Sequence, residues 1–185
     1  MFKFVRELTR QNVDIKIQEY LQSLEELQLQ ASGLHLIAQI KRAALGQGPY
    51  PNVTLFEAAN RIGTDLVILN GIRWMLVTNV FPFESYTVEY GNEHQSGFDI
   101  RAELSGKRLI GEAFNVAPSF YQSKKSGALK KLMSAKADFK ILVFNQDAVS
   151  DGYRPSPQGG ELYVAVNWSS GGATISPALL SGPST

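Results

Sequence analysis

Two acids, Asp99 and Glu112, sit inside stretches otherwise apolar enough to be central strands, FDIRAEL and RLIGEAFNV. Between them Ser105–Gly106 is a good two-residue hairpin turn. With that turn, residues opposite each other have numbers that sum to 211, so Leu104 faces Lys107, Glu103 faces Arg108, and Asp99 faces Glu112. Directly opposed residues project to the same side, with Cβ atoms roughly 4.5–5.5 Å apart. Two carboxylates that close repel each other unless one is protonated or a cation sits between them. Ligation by two carboxylates, with waters filling the other positions, suits Mg²⁺ or Mn²⁺ rather than zinc. Such an ion polarises a phosphoryl oxygen and lowers the pKa of an attacking water. A turn looser by one residue shifts the register, and the two acids then face solvent or pair with arginine. Glu103 opposite Arg108 is an ordinary cross-strand ion pair.

A lysine is also out of place. In the stretch that follows, Tyr121, Ala128, Leu129, Leu132 and Ala135 form the apolar arc of a helix, and Lys125 falls inside it. An ammonium among core positions is costly unless it meets an anion. The carboxylate pair is one such partner and a substrate phosphate another. Alternatively Lys125 buries its stem and sends its head to water. Lys124 and Lys131 share a neighbouring edge of the helix, and Lys124 is the alternative cation. Lys130 and Lys131 read as a solvated or phosphate-contacting face.

The elements that must position these groups follow from periodicity. Val13–Ala31 and Leu34–Leu45 have helical spacing, with Ser32 as a cap and Gly46 as a stop. Thr54–Glu57 is a capping box that opens a long apolar helix, in which Gly63 and Gly71 mark potential breaks. SYTVEY alternates like a strand, GNEHQSG is a hairpin loop, and strands follow near Phe98–Leu104 and Arg108–Val116. A helix from Ser119 to about Ala135, the strand FKILVF, a long turn-rich loop and the strand ELYVAVNW complete the order. The expectation is an α/β (α+β) fold. A mixed sheet carries a three-stranded antiparallel meander, a crossover helix and a returning strand, flanked by N-terminal helices. Residues 1–168 read as a single domain: an N-terminal helical layer over 1–46, a core over 54–145 and an additional strand over 161–168. Residues 169–185 read as a flexible tail.

Bulk composition narrows the classes. The chain has 185 residues, 44% hydrophobic and 19% charged, with no cysteine, which excludes disulfides and cysteine-ligated metals. No stretch approaches ~20 consecutive apolar residues and the N-terminus lacks a signal-peptide core, so the expected location is cytoplasmic, with no membrane partner. The net charge of +1 gives no bulk support for nucleic-acid binding; any such site must be a local basic patch. His35 and His94 lack a partner at metal spacing, and the serines lack a nucleophile elbow. Trp74 and Trp168 read as packing residues. Tyr153 and Arg154 lie in a loop that could touch DNA, although loop residues of either type need no function.

The layout of helix, three-stranded meander, helix and strand, together with GFDI and IGEAF, resembles the PD-(D/E)XK restriction-endonuclease-like superfamily over about Thr54–Asn145. The resemblance implies that Asp99 and Glu112 bind Mg²⁺ (or Mn²⁺) and that the chain hydrolyses DNA phosphodiester bonds. The family's lysine position falls on Phe114. The resemblance then implies a lysine displaced to the following helix, Lys125 or Lys124, with Lys131 touching flanking phosphates. It also implies Glu57, on the first core helix, as a further candidate metal ligand. A member without a working metal site would instead bind nucleic acid or a protein in a defence or mobile-element system. A homodimer joined through the N-terminal helices would suit double-strand cleavage.

Overall fold

The structure is a computed structural model that describes residues 6–28, 32–91, 97–153, 155–157 and 159–178. His94, Arg154 and the last seven positions of the expected tail lie outside the described residues. The elements run β1 (Glu7–Thr9), α1 (Val13–Glu25), α2 (Gly33–Arg42), α3 (Leu55–Thr78), β2 (Ser85–Val88), β3 (Ile100–Leu104), β4 (Lys107–Phe114), α4 (Tyr121–Met133), β5 (Phe139–Asn145), β6 (Leu162–Val166) and β7 (Ala173–Ser176). The fold is mixed α/β: seven strands in sequence order form one sheet. Strands β1 to β4 are mutually antiparallel, β4, β5 and β6 are parallel, and β7 returns antiparallel to β6.

Each face of the sheet has its own core. On one, α1 and α3 bury Tyr20, Leu69 and Ile72 against Val88, Ile100, Leu109, Ile141 and Val164. On the other, α4 and the loop after β5 bury Tyr121, Leu132 and Val149 against Ile110, Phe114, Leu142, Phe144 and Tyr163. The two sets alternate along β4 and β5, as side chains of a strand covered on both faces must. Helix α2 contributes no buried residue.

Helix α3 opens as its capping box dictates, the Thr54 hydroxyl accepting from the Glu57 N–H at 3.3 Å. It runs unbroken through both glycines. A Cβ at Gly63 would lie 1.9 Å from Asn115 Nδ2, and one at Gly71 would lie 2.9 Å from Val143 Cγ1. These glycines are therefore sites of close approach to the sheet, not breaks.

Three expectations need correction. The N-terminal layer is not wholly helical: Glu7–Thr9 pairs with β2 as an edge strand, anchored by the fully buried Leu8. Within the expected tail, 173–176 is a strand. Asn167 Oδ1 accepts from the Ser169 and Ser170 N–H groups, and Gly171 takes φ +76°, which turns the chain back onto β6. Helix α4 begins at Tyr121 after a 3₁₀ turn over Pro118–Phe120, and Ser119 makes no capping bond.

Candidate metal and phosphate site

The hairpin between β3 and β4 sets the geometry. Ser105 and Gly106 have φ of +51° and +79°, the left-handed pair that a two-residue turn of this hand requires. The register runs from Leu104↔Lys107 to Ile100↔Gly111, every pair summing to 211. Glu112 shares a face with Ile110 and Phe114, the face covered by α4. Asp99, one residue before β3, continues the same ladder and meets it: its Oδ2 accepts from the Ala113 N–H at 2.8 Å.

Glu112 is 9% exposed. Burial raises its pKa to about 7, and the negative charge of Asp99 adds to the rise. The Lys131 ammonium opposes it, 2.7 Å from Glu112 Oε1, and the Asp99 main-chain N–H lies against the carboxylate as well. Lys131 is thus the charge-assisted partner of a buried oxygen. The Phe98 ring, its centroid 5.5 Å from the same ammonium, walls the other side.

The lysine that reaches the acids is thus Lys131 and not Lys125. Helix α4 lies astride β4 and β5. At 100° per residue, positions 125 and 131 point about 120° apart around the helix. One flank hangs over Glu112 and the other over β6. On that far flank Lys125 donates to the Tyr153 hydroxyl at 3.2 Å and sits 5.2 Å from the Tyr163 ring centroid. The apolar arc was read correctly; the strand beneath each side of it could not be read from the helix alone. Lys124 is exposed and makes no ion pair among the described residues. Glu57 donates its N–H to the Thr54 cap and pairs its carboxylate with Arg61, exposed to solvent. The structure does not bring it to the pair: among the described residues no three acids or histidines are grouped closely enough to hold an ion.

A third acid lies in the same lateral row. The Glu89 N–H donates to Asp99 O at 2.9 Å, so Glu89 continues β2 directly opposite Asp99. It is 4% exposed, and Arg101 Nη2 is 3.9 Å from its Oε1. Glu89, Asp99 and Glu112 therefore follow one another across three neighbouring strands, with Arg101 and Lys131 as cations beside them. Sequence reasoning missed Glu89, although the alternation in SYTVEY held the signal. With Tyr86, Val88 and Tyr90 facing the core, Glu89 has to face the other way.

Two adjacent carboxylates, one of them held by a single lysine, fit an oxygen-ligated cation that keeps most of its waters. The buried Glu112 oxygen would not be stable beside Asp99 as a bare anion, which is why a cation, here Lys131, stands against it. No protein-family model, no curated protein and no solved structure matches this chain.

Proposed function

We propose that the chain is a metal-dependent nuclease that hydrolyses DNA phosphodiester bonds, built on a restriction-endonuclease-like core. What carries the reading is the buried Asp99–Glu112 pair with a lysine on it, on two central strands at the end of the ladder away from the hairpin turn. The order α3, β2–β3–β4 antiparallel, α4, then β5 parallel to β4 supports the resemblance in fold.

In this reading Asp99 and Glu112 hold Mg²⁺ or Mn²⁺, which when bound supplies Lewis acidity toward a phosphoryl oxygen. The protein supplies three things. The Ala113 N–H holds Asp99 in one orientation. Packing under α4 lowers the local dielectric, so each charge at the site acts more strongly than in water. Lys131 takes the role first assigned to Lys125: its ammonium neutralises Glu112 in the resting site and can turn toward charge developing on a phosphate.

A second reading has its own observations. Phe114 fills the usual lysine position, and Lys131 already pairs with Glu112, as in a module that binds nucleic acid or a protein without cutting. Plasmid incubated with Mg²⁺, Mn²⁺ or EDTA separates the two. The nuclease cuts with either ion, stops in EDTA, and is silent as Glu112→Gln. Absence of cleavage together with no thermal stabilisation by either ion would leave the binding module.

A further inference from the structure

The charges of this chain are not evenly spread. Nine of the eighteen Lys and Arg residues, but only four of the seventeen acids, lie between positions 99 and 140. The near-neutral total hides a basic segment, β3 to β5, and an acidic remainder.

The structure adds that most of these cations are uncompensated. Elsewhere, Lys16 pairs with Glu19, Arg61 with Glu57 and Arg73 with Asp14. Helix α4 contains no acid at all. Lys107, Arg108, Lys124, Lys130, Lys136 and Lys140 make no ion pair with any described residue. All but Lys140 are exposed. Glu103 does stand opposite Arg108 in the register, as the turn predicts, but the expected ion pair between them does not form, and Asp138 meets Arg108 only through its main-chain N–H, 2.7 Å from Oδ2. The only side-chain contact shown for the Lys140 ammonium is Met133 Sδ at 3.9 Å.

Their placement is directional. Arg108 and Lys140 project from the face of β4 and β5 that carries Glu112, Arg108 about 13 Å from it along the strand. Lys107, one position nearer the turn, projects from the opposite face of β4 and lies outside this set. Lys124 and Lys131 share one edge of α4, two turns apart, and Lys130 and Lys136 crowd its C-terminal end. The helix dipole accounts for a cation in the last turn. It accounts for none of Lys107, Arg108, Lys124 or Lys140.

We infer that this face, from the β3–β4 hairpin tip to the C-terminal end of α4, is a phosphate-backbone docking track that leads to the Asp99–Glu112 pair. The partner is a nucleic-acid duplex, bound through its phosphates without base readout. Phosphates fit because the cations are spread along two directions over a solvent-facing surface, where each can neutralise one charge and release a counterion. The inference rests on the nucleic-acid half of the proposed function and not on the metal.

The test is fluorescence anisotropy of a short DNA duplex in EDTA, from 50 to 200 mM salt. The full chain is compared with the double variants Arg108→Gln/Lys124→Gln and Lys130→Gln/Lys136→Gln, and with the control Arg10→Gln/Arg42→Gln. The expected result is a salt slope shallower by about 0.9 for each phosphate contact removed, with roughly tenfold weaker binding in either track variant and none lost in the control. Exposed positions keep these variants folded, and thermal melts verify it. No binding by the full chain, equal loss in the control, unchanged slopes, or competition by polyglutamate as effective as by DNA would each overturn the inference, the last reassigning the face to an acidic protein. Loss of cleavage in Glu112→Gln with binding intact leaves the track standing. Cleavage with binding untouched by the track variants removes the track and leaves the nuclease.

Discussion

Asp65 and Glu112 are both carboxylates shut inside the protein, one on each side of the sheet, and they are treated in opposite ways. Asp65, on α3, is fully buried, and its oxygens are claimed by neutral donors. Oδ2 accepts from the Tyr20 hydroxyl at 2.7 Å and from the Tyr50 hydroxyl, and Oδ1 from the Gly91 N–H at 3.1 Å. Burial still raises its pKa to about 6 against those bonds and the charge of Arg61. Glu112 has a like charge beside it and one lysine against it. Asp65 joins α1, the loop after α2 and the end of β2 into one network of neutral donors, whereas Glu112 is held to α4 by a single cation on the central strand of the sheet. A buried acid that ties elements together through neutral donors is a structural part, and one pushed toward neutrality beside a like charge is a candidate for chemistry.

The comparison can be broken at its strong end first. Asp65→Ala leaves two phenols and an amide buried without their acceptor, and should cost about 3–5 kcal/mol in denaturant unfolding. A loss below about 1 kcal/mol would mean that Asp65 is not the structural acid. Glu112→Gln should reverse the pattern. Metal-dependent cleavage falls by about 10²-fold or more, while the melting temperature at pH 8 holds or rises because a strained charge is gone.

Lys131→Met should come next, with cleavage reduced about tenfold and Glu112 protonated over a wider pH range, since its one cation is removed. Lys125→Met should leave cleavage within about twofold, and any effect should appear as a loss of about 1 kcal/mol from the Tyr153 contact. Equal loss of cleavage in the two lysine variants would contradict the assignment of the two flanks of α4.

The pH dependence sharpens the same contrast at small amplitude. Both acids have folded-state pKa values above their unfolded ones, so each contributes most to stability when protonated. For Asp65 that contribution is complete below about pH 4 and is lost by about pH 6. For Glu112 it is complete below about 4.5 and is lost as the pH rises through about 7. Between pH 6 and 7.5 the difference in unfolding free energy between Glu112→Gln and the parent should therefore still be growing. It should flatten above that range, and Mg²⁺ should narrow it. A difference independent of pH would show that Glu112 is not held near neutrality.

Much of the candidate site was legible because β-hairpin register is local. A two-residue turn with left-handed φ at Ser105 and Gly106 permits one pairing, and period-2 alternation then assigns each side chain to a face. The capping box at Thr54–Glu57 was legible for the same reason: its partners are three residues apart. Edge strands β1 and β7 were not, since three or four residues carry too little pattern, and β1 is held by a neighbour distant in the chain. The choice between Lys125 and Lys131 was not legible either. Helical periodicity gives an angle around α4, but it does not say which strand lies under each side.

From sequence alone came the helices and the central strands, the hairpin pairing and the meeting of Asp99 with Glu112, because each depends on interactions between near neighbours whose geometry the backbone restricts. Tertiary structure alone decided that α4 lies astride β4 and β5, that Lys131 reaches the acids, that Glu89 extends their row, and that Arg108 and Lys140 share the face covered by α4. Those outcomes depend on how separate elements pack across the sheet, and packing is set by the shape of the whole core rather than by any single stretch of chain.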